Sequence, residues 1–158
     1  MIKFFSFSNC STIAVEDIAR MKPTAIAICH GTPVDEDAYI FGEIEALNVF
    51  RHSDFPITFF GHSHFPVIFA LSPDAITTIL TVAPSFRFKL RPGVRYLVNP
   101  GSVGQPRDGN PLASFAMFDS DTRMVSIHRI SYPVKETQQK IMKAGLPRPL
   151  ADRLGIGR

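Results

Sequence analysis

Two short apolar runs in this sequence end in histidine. Residues 24–29, TAIAIC, lead into His30-Gly31-Thr32-Pro33, and Ile57–Phe60 leads into Gly61-His62-Ser63-His64. Imidazole is a good ligand for Zn, Fe, Mn and Ni ions. A glycine beside a ligand lets the backbone turn tightly and approach a bound ion. An HxH pair in extended geometry points both rings the same way. Runs that are apolar throughout read as strands buried on both faces, which belong to layered α/β folds. Ligands in such folds collect at the C-terminal ends of the strands. His30, His62 and His64 are therefore expected to meet at one rim and form a shared metal site. With five histidines in 158 residues, an HxH pair arises by chance about one time in eight, so the strand-end context carries this reading rather than the pair itself.

The other ionisable residues have simpler readings. His52 falls at a helix end, where a cation offsets the dipole. His128 alternates with Val125 and Ile127, which puts it on the polar side of a strand. Asp35, Glu36 and Asp37 suit the first turn of a helix. Cys10 and Cys29 form no CxxC and read as small buried residues.

Asn99-Pro100-Gly101-Ser102-Val103-Gly104-Gln105-Pro106-Arg107-Asp108-Gly109 is the second informative segment. Gly-rich turns after strands expose backbone N–H groups that can hold an anion, and Arg107 can clamp phosphate through paired hydrogen bonds. The competing reading is a plain structural loop with Arg107 paired to Asp108 or another acid.

The elements that must position these residues follow from the pattern. A short helix is expected at 16–22, before Pro23. A longer one is expected from Asp35 to about Phe50, with Tyr39, Ile40, Ile44, Leu47 and Phe50 as its apolar stripe. Phe69–Leu71, Ile76–Val82, Phe86–Leu90, Tyr96–Val98, Leu112–Phe118 and Met124–Ile130 are the candidate strands. Residues 134–144 read as a helix closed by Gly145, and 149–154 as a last short one.

Hydrophobic residues make up 45% of the chain and 14 are Phe, which is enough for a buried core. A net charge of +3 and a pI near 9.1 are too mild for a polycationic nucleic-acid surface. No stretch is apolar enough to span a bilayer. The start is too interrupted for a signal peptide, so the cytoplasm is the expected location.

Taken together, HGTP at 30–33, GHSHFP at 61–66, NPGSVGQPRDG at 99–109, LASFAMFD and AGLPRPLADRLGIGR resemble the calcineurin-like metallophosphoesterases, in particular their small bacterial and archaeal phosphodiesterase branch. The resemblance runs from about residue 24 to the C-terminus. It implies an α/β (α+β) fold, a metallophosphoesterase β-sandwich flanked by helices. It also implies two divalent metals (Mn, Ni, Fe or Zn) and in-line attack of an activated water on a phosphate ester. On the matching positions, His30 and His62 would ligate one metal and His64 the other. Asn99 to Arg107 would form the loop beneath the site, with Asn99 and Arg107 touching substrate phosphate.

The family's DxH, GD and GNHD/E motifs do not occur here. The expectation is therefore one incomplete domain, 1–158, whose N-terminal half is missing. It would hold at most one metal and be inactive alone unless a homodimer or a separate N-terminal half completes it. A non-catalytic binding or assembly module and a mononuclear three-histidine zinc hydrolase are the alternatives.

Overall fold

The computed structural model describes residues 2–3, 26–81 and 83–158. The expected helix at 16–22, Cys10 and the first residues of the TAIAIC run lie outside them. The described residues form two sheets. In the first, β2 (Ile26–Ile28), β3 (Ile57–Phe59) and β7 (Arg95–Asn99) run parallel. β4 (Val67–Leu71) pairs antiparallel to β7, and β5 (Ile76–Leu80) antiparallel to β4. The second sheet is antiparallel, with β1 (Ile2–Lys3) beside β8 (Ala113–Asp119), then β9 (Met124–Ile130), then β6 (Ser85–Lys89).

Side-chain alternation lets one sheet feed two cores. Ile26, Ile57, Phe59, Ile68, Tyr96 and Val98 point between the sheets and meet Ala116, Phe118, Val125 and Ile127 from the other side. Their neighbours Val67, Phe69, Leu97 and Phe60 point the opposite way and pack under helix α1 (Glu43–His52) through Ala46, Val49 and Phe50. The central strands are thus covered on both faces, which explains their unbroken apolar runs.

Helix α1 begins eight residues later than the acids at 35–37 suggested. Thr32 and Asp35 close a tight turn: the Asp35 N–H donates to Thr32 Oγ1 at 2.9 Å, and Thr32 Oγ1 donates to the Asp35 carbonyl at 3.0 Å. Asp35 Oδ1 also takes the Asp37 N–H at 3.0 Å. The acids satisfy a turn instead of a helix dipole. The helix opens at Gly42, whose N–H reaches back to Glu45 Oε2 at 2.9 Å. As a result Tyr39 and Ile40 precede the helix, and Ile44 lies 82% exposed rather than in the apolar stripe.

Helices α2 (Val134–Lys143) and α3 (Arg148–Asp152), with a 3-10 turn at Arg153–Gly155, pack on one another near the C-terminus. Gly145 adopts φ 70 and ends α2. No helix among the described residues is long and apolar enough to cross a membrane.

Candidate functional site

Because β2, β3 and β7 are parallel, their C-terminal ends open on one rim, and β4 starts from the same rim. His30, His62 and His64 all arrive there, half-buried. The backbone at the rim is stitched across the strands: Cys29 N–H to Phe59 O at 3.0 Å, Phe60 N–H to Val98 O at 3.0 Å, and Gly61 N–H to His30 O at 2.8 Å.

His30 and His62 meet directly. His62 Nδ1 lies 2.7 Å from His30 Nε2, and the two rings stand edge to face. His64 is held separately, with Nδ1 2.8 Å from the Gln105 carbonyl. A carbonyl can only accept, so it fixes Nδ1 as the protonated nitrogen and leaves the Nε2 lone pair free. Burial holds His64 below its ordinary pKa, and the Arg107 guanidinium beside it acts in the same direction. The bond to the Gln105 carbonyl opposes them.

The HxH segment is not extended. His62 and His64 have φ 63 and 58, so both occupy the left-handed region. Their rings are aimed by two left-handed turns, with Ser63 buried between them. Histidine reaches this region more readily than most residues, but at a cost.

Asn99 is fully buried. Its amide donates to Gly61 O at 3.0 Å and to Ser63 Oγ at 2.9 Å, while its carbonyl oxygen accepts the Gly101 N–H at 2.9 Å. It ties the histidine loop to the 99–109 loop, and contact with a substrate would require it to give up one of these bonds. Within the Gly-rich loop, the Gly104 and Gln105 N–H groups both donate to Ser102 Oγ and are not free for an anion. Arg107 is the outward-facing cation. Its backbone N–H bonds His64 O at 3.3 Å, and among the described residues its guanidinium hydrogen-bonds Gln105 Oε1 at 2.9 Å. Asp108 does not pair with Arg107 but with buried Arg129 of β9.

Three contributors escaped the sequence reading. Tyr39 stacks on His62 with ring centroids 3.8 Å apart, and Phe41 stacks on Tyr39 at 5.1 Å. Assigning Tyr39 to the helix hid this, although Gly42 followed by Glu45 is a start signal that would have freed it. Gln105 acts through its backbone, which no side-chain pattern reveals. Arg129 follows Val125 and Ile127 on the inward face of β9, and an arginine in that alternation was the visible anomaly. His52 ends α1 as expected, and half-buried His128 stacks on Phe115 at 5.5 Å.

At 2.7 Å one of the His30 and His62 rings donates its N–H to the other, and a cation shared by the two imidazoles would replace that proton. Two cations do not fit this set. Among the described residues no group of three His, Cys, Asp or Glu side chains closes on a common point, and three neutral imidazoles cannot offset two dications packed together.

No family model matches the chain. Among solved structures, a metallophosphoesterase from Sphaerobacter thermophilus superposes with a TM-score of 0.77 at 34% identity, over 87% of this chain and 57% of that one. A hypothetical protein from Pyrococcus horikoshii superposes with a TM-score of 0.60 at 19% identity, over 85% of this chain and 47% of that one. Among curated proteins, an uncharacterized protein of Methanocaldococcus jannaschii is 48% identical over 64 residues, which is 40% of this chain and 26% of that protein. The chain thus spans about half the length of the solved structures it matches.

Proposed function

From a chain that has the fold of the calcineurin-like metallophosphoesterases, we propose that the histidine rim binds a divalent cation and serves a phosphate-ester hydrolase. The observation that carries this is the meeting of His30 Nε2 and His62 Nδ1 at 2.7 Å on the C-terminal rim of three parallel strands. A divalent cation held there supplies charge that polarises a phosphoryl oxygen and makes water a better nucleophile. The chain's own residues bind and orient. His30 and His62 hold the cation. His64, oriented by the Gln105 carbonyl, keeps its Nε2 free on the same rim, and Arg107 draws in the anionic ester. Asn99 keeps the two loops in register beneath them.

The carboxylates that complete a two-metal centre are not beside these histidines among the described residues. Full activity on this reading needs such carboxylates from outside the described residues. That same shortage favours a second reading, a module that binds metal and phosphate without turnover.

The deciding test is Mn²⁺-dependent hydrolysis of bis-p-nitrophenyl phosphate by the chain, with His62→Ala/His64→Ala beside it. Activity lost in the double variant and in excess chelator supports the hydrolase. Metal binding that depends on His62 and His64 without turnover supports the binding module. Metal binding unaltered in the double variant removes the site assignment for both.

A further inference from the structure

Strand β9 turns Val125, Ile127 and Arg129 toward the interior, and the first two are core residues at 0% and 1% exposure. Arg129 continues that line with its side chain at 0% exposure, beside an Asp108 side chain at 2%. Both guanidinium nitrogens Nη1 and Nη2 donate to the two Asp108 oxygens. An ion pair of this kind is a poor stabiliser, because the cost of desolvating both charges offsets their attraction. An apolar pair of similar volume often does as well or better. What the pair does supply is a fixed position and orientation for residue 108.

That position matters because of what is attached to it. Only Pro106, which is buried, and Arg107 separate Asp108 from Gln105. The Gln105 carbonyl holds His64 Nδ1, and the Arg107 N–H holds the His64 carbonyl. On the other side, the Gly109 N–H bonds the Gly157 carbonyl at 2.9 Å. We infer that the Asp108–Arg129 pair is a positioning device for the rim, seating the loop so that Gln105 orients the His64 ring and Arg107 lies beside it. Asp108 and Arg129 are positioning residues, acting through Gln105 and Arg107. The inference gives them a role in the cation and phosphate-ester site proposed above, and in that respect rests on it.

The test compares the chain with Asp108→Leu/Arg129→Met and with Arg129→Lys. Nitrogen-edited NMR of the metal-free protein reads the His64 ring, and chelator competition reads Zn²⁺ affinity. Melting temperature serves as the control. The paired apolar variant is expected to melt near the parent. Its His64 should lose the single Nδ1–H form, and Zn²⁺ affinity should fall by about 10-fold, the usual effect of removing an outer partner of a ligating histidine. Arg129→Lys keeps the charge but not the fork and should show the same changes, so it decides the matter if the apolar pair does not fold. A purely structural role would move the melting temperature and leave the His64 ring form unchanged. A parent-like His64 ring in a folded variant overturns the inference. Absence of Zn²⁺ binding in the parent would overturn the proposed function instead, and the His64 ring would still decide this one.

Discussion

The left-handed backbone at His64 makes a signed prediction about two substitutions that both remove its imidazole. With φ at 58, the residue sits where an L side chain costs about 1–2 kcal/mol and glycine costs little. His64→Ala removes the bond to the Gln105 carbonyl and keeps the strain. His64→Gly removes the bond and the strain, but frees the unfolded chain by about 0.4–1 kcal/mol. The difference leaves the glycine variant more stable than the alanine variant by roughly 0.5–1 kcal/mol. In ordinary helix or strand the order is reversed, with glycine worse by about 0.5–1 kcal/mol. For a chain of this size the gap corresponds to about 1–4 °C in melting temperature. Urea unfolding of the two variants, followed by circular dichroism without metal, measures it directly. An alanine variant more stable than the glycine variant would mean that the GHSH segment is extended after all, and the account of how the rings are aimed would fail.

Gly101, with φ 89, would bring a new Cβ to 2.9 Å from Ser114 Cβ. Gly101→Ala should therefore cost about 1–2 kcal/mol or more, and adding Ser114→Gly should recover part of it in the same unfolding assay. His64 titrates below its ordinary value near 6.5 in the folded state, so its contribution to stability is complete above that pH and is lost as pH falls through the lowered folded value. The urea midpoint of the parent should drop between about pH 7 and 5, and His64→Asn, which tolerates the left-handed turn, should flatten that slope. Tyr39→Ala removes the ring stacked on His62. It should cost about 0.5–1.5 kcal/mol of stability beyond the lost area and broaden the His62 ring signals in NMR.

The parts of this protein that were legible in its sequence are those set by apolar periodicity. Met124–Ile130 is the observed β9, and the expected helix at 134–144 differs from α2 by one residue. The gathering of His30, His62 and His64 on one rim was legible too, because unbroken apolar runs imply parallel strands with a common end. What escaped depends on information carried elsewhere. Asp35 and Asp37 suit a helix start and a side-chain turn equally, and Thr32 three residues earlier decides between them. The left-handed turns at His62 and His64 flank a segment that Asn99 ties down from a distance, bonding Gly61 O and Ser63 Oγ from 38 and 36 residues away. Arg129 needs a partner 21 residues distant, which local pattern does not supply.

The order in which the chain visits its two sheets has a mechanical consequence. After β4 and β5 it leaves the parallel sheet to lay down β6 in the antiparallel one, then returns for β7, the strand that joins β3 to β4. No single cut separates the sheets, and neither can be peeled away without pulling a strand from the other. Heat, denaturant or force must therefore dismantle them together, and hydrogen exchange in β3, β7, β8 and β9 should share one opening free energy. The histidine rim lies on that shared seam, so it should persist until the sandwich itself gives way.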